Sequence, residues 1–545
     1  MKTRSLVLGS TLAMTLSAGG AFAAMDQVRS ATAAGNFGLQ PASDFRLTDG
    51  KCADCPNEKA ALWYFRDDTI AVPQKNAAGF ERGSRTFDDV RRWAKANPSS
   101  GPKSYPPLLW VGSQQVVNGA RLSDDGKRLT LPDGKALPFA LTPKIDSNRS
   151  FFDASSQKFF AGRELNIRGK TENGQFVGRT LWPADFALDY SKLPYQPLQS
   201  GESLDGLVRA NEGGARLPMA ARVLWQRDPK SARAWADKPV LAFVLNGAQG
   251  DDDEAHGGHF AVATGRFGAK GEWGDWTVNN FYNLDSISEK GIVASSLPLD
   301  AYQGDLNSGQ SWYRPSYLVV AVLKQDRAAA QYQDAINRVF NHFYRHDFVY
   351  RHASANCAGL NMETLRTIGW QIPLQGPTSR AKAIAALPFM SIKERSLENG
   401  MKATDYLMAE QTDLYPMVAF QAAGNDLLSR LAQGRAETAY EKMLAEDLEG
   451  LVFIRLPQFP SSRAFGQAPV ASIDEYIKRA PEDRAQWKMV PTQPRPFPEE
   501  FKDAQSPSSE LLPSTLTLYG YGGFFGLAAL GIVRRRWRKQ SSNLS

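Results

Sequence analysis

Apolar stretches without a single acid bound the chain at both ends, and they decide what the rest of it can be. Met1 to Ala24 holds Lys2 and Arg4, an apolar run from Leu6 to Leu16, and the small-residue ending Ala21-Phe22-Ala23. That is the build of a secretory signal peptide cleaved near Ala23 or Ala24. Thr515 to Val533 is 19 residues without a charge, close to the ~20 that cross a bilayer as a helix. Arg534, Arg535, Arg536, Arg538 and Lys539 come directly after it and are expected to stay in the cytoplasm. The bases of these two ends account for the whole formal charge of +7, so residues 25–510 are formally neutral. That balance argues against a nucleic-acid footprint spread over the folded body.

The expected placement is a periplasmic body anchored in the inner membrane by a C-terminal helix. A second reading of the tail stays open. Leu512-Pro513-Ser514-Thr515-Leu516 is similar to the sortase pattern LPxTG apart from its last residue, and Gly522-Gly523 suits a processed sorting tail that leaves the protein surface-attached.

With 545 residues, 42% of them hydrophobic and 22% charged, the chain exceeds one compact domain and has the composition of a globular protein. The expected organisation is a signal peptide (1–24), a β-rich domain (25–199), a Cys/His domain (200–378), a helical domain (379–490), a Pro/Ser-rich stalk (491–514), the membrane helix (515–533) and a basic tail (534–545). Strand-like runs include Ala61 to Phe65, Leu108 to Val111 and Arg128 to Leu131. Helical periodicity marks Ala381 to Leu387, Asn399 to Glu410 and Asn425 to Glu446.

Three cysteines separate into a pair and a single thiol. Cys52 and Cys55 form a C-x-x-C unit. In an oxidising compartment a structural disulfide is the expected state, with a redox motif and a zinc half-site as the sharper alternatives. Cys357 stands alone after Asn356, and Leu360, Thr364, Leu365 and Ile368 recur behind it at helical spacing. A helix is expected from Cys357 to about Gly369. A thiol at a helix N-terminus gains from unpaired N–H groups and the helix dipole, so its pKa is expected to fall. The alternative is an inert core cysteine.

A second segment changes the weight of that thiol. His256-Gly257-Gly258-His259 opens the apolar run from His259 to Thr264, Gly268 to Gly271 suits a hairpin loop, and Trp276 to Tyr282 returns as a partner strand. If Phe267 and Glu272 close the loop, His259 lies opposite Asn280 on one face. A one-residue slip would substitute Asn279. A sulfur, an imidazole and an orienting carboxamide form a nucleophile, a base and a positioner.

The order Gly258-His259, Asn280-Phe281, the aromatics Tyr302, Tyr313 and Tyr317, then Asn356-Cys357 resembles the circularly permuted papain-like, NlpC-related cysteine hydrolases. That superfamily includes lecithin retinol acyltransferase, and the resemblance is strongest to the periplasmic domains of unknown function similar to the Lnb N-terminal periplasmic domain. It covers about residues 240 to 375. It implies an α+β fold in which an antiparallel sheet packs with the helix bearing the cysteine. It further implies a thiol hydrolase or acyltransferase acting on amide or ester bonds, in which Cys357 attacks, His259 moves the proton and Asn280 orients His259. Asn356 or the Cys357 N–H supports the oxyanion, with His256 and Asn279 as alternates. Substrates in that compartment are peptidoglycan peptides, lipoproteins or lipid esters, with cell-wall peptides placed first. No cofactor, metal or nucleic acid is implied.

Rival readings are a non-catalytic envelope binding module on the same fold and a metal-dependent hydrolase. The second would use His342, His346, His352 and Asp347, or Asp251 to Glu254 with His256 and His259. For His342 and His346 a solvated helix face is the expected alternative.

Overall fold

Three eight-residue segments, Pro239–Asn246, His259–Arg266 and Ser316–Leu323, are apolar nearly throughout and are the heart of the protein. Residues of that kind, too short a run for a long helix, settle as strands covered on both faces. The structure, a computed structural model, describes residues 29–30, 60–65, 68–73, 86–97, 109–110, 115–145, 148–250, 255–282, 294–344, 348, 350–461 and 464–487. Two compact units separate, Met1–Asp503 and Ala504–Ser545, and every described residue belongs to the first.

The fold is mixed α+β, as expected. Its main sheet has ten strands: β1 (Ala60–Phe65), β2 (Asp68–Pro73), β3 (Leu109–Trp110), β4 (Ala220–Gln226), β5 (Pro239–Asn246), β6 (His259–Arg266), β7 (Thr277–Asn280), β8 (Ser295–Pro298), β9 (Ser316–Leu323) and β10 (Leu448–Leu456). Their order is β4-β10-β9-β5-β6-β7-β8-β3-β2-β1, antiparallel except between β8 and β3. This one sheet draws strands from all three stretches into which the sequence divides the body. The C-terminal part is mainly helical, but it supplies β10, and the helix expected over 425–446 is interrupted. A turn at Gly434, with φ +72°, separates the helix ending at Asp426 from the one beginning at Ala439.

Five helices build the surroundings of the site: α1 (Thr86–Ala96), α2 (Leu299–Gly304), α3 (Arg327–Tyr344), α4 (Cys357–Thr367) and, further along the chain, Pro416–Asp426. The sheet face carrying Phe243 and Phe260 is covered by helices. Phe243 packs against Trp370 just beyond α4 at 5.6 Å, and Gly424 of Pro416–Asp426 lies close to Val319. The opposite face meets α2.

The β-rich N-terminal region contains a second sheet, in which Gln115–Leu122 pairs with both Arg128–Thr130 and Leu165–Glu172. With Ala136–Leu141 and Gln175–Pro183 completing the circuit, the strands close into a ring, which removes free edges. Buried ion pairs join this ring to α2 and its flank: Arg168 Nε to Asp300 at 2.7 Å, and Arg179 Nε to Asp305 at 2.6 Å. Among the described residues no helix is long and apolar enough to cross a membrane. The expected signal peptide, the Cys52/Cys55 pair, the stalk, the span Thr515 to Val533 and the basic tail lie outside the described residues.

Candidate active site

The imidazole is placed by a backbone constraint that the Gly-His pair satisfies. Gly258 has φ +74°, and a Cβ there would come within 2.4 Å of the Asn246 carbonyl oxygen and 2.7 Å of Pro469. Only glycine fits both the left-handed backbone and that approach. The chain then enters β6 with His259 directly opposite Asn246 of β5.

The partner strand arrives two residues away from the expected register. Val262 pairs with Asn279 and Thr264 with Thr277, whereas a loop closed at Phe267 and Glu272 would pair Val262 with Thr277. The connection is longer because Gly268 to Glu272 closes first (2.7 Å) and Trp273 to Trp276 adds a second turn (3.3 Å). A shift of two preserves the faces, since side chains alternate. Asn280 therefore remains on the His259 face as a diagonal neighbour, and the contact is made: His259 Nε2 lies 2.6 Å from Asn280 Oδ1. Asn279 takes the other face, where it bonds Gln333 of α3 and Ser296. It is therefore no alternate for Asn280. Phe281, on that side too, stacks on Phe340 at 4.0 Å.

Cys357 begins α4 as expected. Its sulfur is within hydrogen-bonding reach of the Phe260 N–H, one residue from His259, and of the Tyr350 hydroxyl, while its own N–H donates to Tyr350 Oη at 3.2 Å. Cys357 thus lies beside Phe260 at the start of β6, the residue next to His259 in the chain, while Asn280 holds the imidazole. Asn356 does not join them as an oxyanion donor. Its Oδ1 caps the helix by accepting from the Ala358 and Gly359 N–H groups, both at 2.8 Å, and its Nδ2 donates to the carbonyls of His352 (2.6 Å) and Leu414 (3.2 Å). With both amide hydrogens engaged, Asn356 is a positioning residue for the cysteine. The backbone N–H of Cys357, the other group expected to support an oxyanion, is held by Tyr350 Oη in this structure.

Around this centre sit groups that the sequence pattern does not single out for chemistry. Tyr350 touches the sulfur. Tyr302 of α2 and Tyr282 flank the imidazole with ring centroids 6.4 Å away in each case, and the Tyr302 hydroxyl donates to Asn246 Oδ1. Arg314 is buried, with Nε on Gln310 Oε1 (2.8 Å) and Nη1 on the carbonyl of Gly247 (3.2 Å). Of the aromatics in the expected pattern only Tyr302 is at the site. Tyr313 bonds Asn148 (2.6 Å) and Tyr317 the Gly213 carbonyl (2.5 Å), tying in loops.

Electrostatics correct one expectation. Burial raises the Cys357 thiol above its usual pKa and outweighs the Phe260 N–H, the Tyr350 hydroxyl and the Arg314 charge, which pull it down. The helix terminus acts in the expected direction but loses to desolvation. Burial also pushes His259 down to about 3, helped by Arg314 and opposed by the Asn280 hydrogen bond. Both partners are therefore neutral at neutral pH. An oxygen acceptor at Nε2 holds the proton on that nitrogen and leaves Nδ1 as the basic one.

The rival histidines do not converge. His256 packs edge-on against Tyr476, ring centroids 6.0 Å apart. His342 is fully buried rather than solvated, because Asp89 of α1 accepts from it (3.2 Å) and, through both oxygens, from Arg338 (2.9 Å each). Among the described residues no group of three or more His, Cys, Asp or Glu gathers to hold a metal. His346, Asp347 and Asp251 to Glu254 lie outside the described residues. Comparison of the chain with known protein families, with curated proteins and with solved structures gave no match.

Proposed function

We propose that this protein is a thiol hydrolase or acyltransferase of the cell envelope, acting on amide or ester bonds from a permuted papain-like core. The observation that carries the reading is the 2.6 Å contact between His259 Nε2 and Asn280 Oδ1 beside a cysteine at a helix N-terminus. In this reading the Cys357 sulfur attacks the acyl carbon as its proton passes to His259 Nδ1. The Cys357 N–H, turning from Tyr350 Oη, and the Tyr350 hydroxyl donate to the oxyanion. The tetrahedral intermediate expels the amine or alcohol, which takes the proton back from His259, and a thioester on Cys357 remains. Water or an acyl acceptor, deprotonated by His259, then attacks the thioester. Its collapse releases the acid or transfer product and the sulfur, which is reprotonated.

Peptidoglycan peptides come first among the substrates, followed by lipoproteins and lipid esters. The body works at the membrane to which Thr515 to Val533 tethers it. Incubating the full chain with purified peptidoglycan and with acyl esters, beside Cys357→Ala, tests the activity. Product from the wild type alone supports it, and none from either substrate sinks it.

The depth of Cys357, 6% exposed, favours a second reading in which the same fold binds an envelope ligand without turnover. A thiol-reactive probe separates the two. Labelling of Cys357 that collapses in His259→Ala belongs to the enzyme, and equal labelling belongs to the binder.

A further inference from the structure

Two helices that leave the core after α4, α5 (Arg380–Lys393) and α6 (Leu397–Met408), form a hairpin whose polarity is inverted. Its inside is built of small residues. Gly400 is so close to α5 that a Cβ would lie 2.0 Å from Ser391 Oγ and 2.7 Å from the Leu387 carbonyl oxygen, and Thr404 Oγ1 bonds the carbonyls of Gly400 (3.0 Å) and Ala383 (3.3 Å). Its outside carries the large apolar side chains, with Phe389 65%, Ile392 78% and Leu397 63% exposed around the turn, and Ile384 and Met401 further back. A helix pair that meets only water buries its large residues and exposes its small or charged ones. The turn itself carries Lys393, Glu394 and Arg395, Glu398 follows Leu397, and Ser396 caps the second helix by accepting from the Asn399 N–H at 3.2 Å.

Position says what covers this surface. Lys382 of α5 pairs with Asp474 at 3.1 Å, so the hairpin base abuts the helix Ile473–Arg479, after which the described chain ends at Trp487. Only 27 residues, 488–514, separate that point from the apolar segment beginning at Thr515, a contour of at most ~90 Å. We propose that the tip of this hairpin, through Phe389, Ile392 and Leu397 with Lys393 and Arg395 beside them, docks into the surface of the lipid bilayer. Apolar side chains at a hairpin tip suit the acyl-chain boundary, and Lys393 and Arg395 suit the phosphates of its headgroups. The inference rests on the reading of Thr515 to Val533 as a membrane tether, since that segment keeps a bilayer within reach.

The test uses the full chain reconstituted into vesicles of phosphatidylethanolamine and phosphatidylglycerol, compared with the same chain held in amphipol. Amide hydrogen exchange over 385–400 is followed in the wild type, in Phe389→Ser/Ile392→Ser/Leu397→Ser, and in Lys393→Glu/Arg395→Glu. Docking predicts exchange slower by about fivefold in vesicles for the wild type, lost in the serine variant and weakened in the charge-reversed one, with no difference among the three in amphipol. A wild-type chain that inserts but exchanges like the serine variant overturns docking and leaves the tether standing. Failure to associate with vesicles at all overturns both. Protection that appears equally in amphipol and grows with protein concentration assigns the face to a second copy of the chain and overturns docking.

Discussion

Asn279 and Asn280 are neighbours in β7, both carboxamides are buried, and they face opposite sides of the same sheet. On one side Asn279, Gln333, Thr264 and Ser296 bond one another, and Gln333 Nε2 also reaches Asn337 at 3.0 Å. None of these groups titrates. On the other side Asn280 holds an imidazole pushed down by burial, and the Cys357 thiol beside Phe260 is pushed up by it. The first cluster resembles any satisfied buried network. The second holds two desolvated ionisable groups, and Arg314 lies close enough to act on both. Burial alone moves a thiol up and an imidazole down, so the shifts report desolvation; what this face has and the other lacks is a pair of groups that can exchange a proton.

That contrast breaks most cleanly at the reacting groups. Cys357→Ala and His259→Ala are each expected to lower acyl hydrolysis at least about 1,000-fold. Asn279→Ala should leave the rate per folded molecule within about twofold, because its face takes no part. Product formation by purified variants checks both, and equal losses in the two faces would remove the distinction. Next in size, Tyr350→Phe removes one of the two donors beside the sulfur. A drop in kcat of about 100-fold, with KM little changed, is the expected result of steady-state kinetics.

Asn280→Ala should cost about 10- to 100-fold, since the ring loses its orienting partner but keeps its basic nitrogen. Asn280→Gln would recover little, the longer side chain being unable to keep the 2.6 Å contact. A pH series sharpens the comparison further. His259 has its folded pKa lowered from 6.5 to about 3, so between those values the unfolded chain binds the extra proton. Stability from this group is complete above 6.5 and falls by about 1.4 kcal/mol per pH unit as pH drops toward 3. The difference in urea-unfolding stability between the wild type and His259→Asn should carry that slope. The acid limb of kcat/KM should likewise lie well below the ordinary imidazole range.

The smallest effect belongs to the silent face. Asn279→Ala should destabilise by about 1–3 kcal/mol because a Gln333 Nε2 hydrogen and the Ser296 hydroxyl lose their acceptor, measured as a shift of the urea midpoint with the slope unchanged.

Much of this is readable in the chain. The apolar runs mark β5, β6 and β9, and the Ser379 and Ser396 caps agree with helical periodicity on either side. The pairing of His259 with Asn280 survives a register error because face depends on parity alone, so a two-residue miscount is harmless where a one-residue miscount would exchange the carboxamides. What is not legible depends on tertiary contacts. Nothing local distinguishes Asn356 as a cap with all its bonds made from Asn356 as an oxyanion donor, because the deciding partners, His352 and Leu414, include one 58 residues away. Tyr350 stands in plain view seven residues before the cysteine, but its hydroxyl gains meaning only when the chain doubles back onto α4. The desolvation that raises the thiol is likewise a property of the packed whole. The solvated face expected for His342 fails because the carboxylate that holds it, Asp89, lies 253 residues away.

The ring of strands near the N-terminus bears on how this protein can be divided. Its Arg168 and Arg179 reach across to Asp300 and Asp305, at the two ends of the short helix that carries Tyr302 to the imidazole. A shortened chain beginning at residue 200 would keep every reacting atom and yet strand two carboxylates in the interior, loosening the wall against which His259 rests. The ring and the helix carrying Tyr302 are thus held as one packed unit.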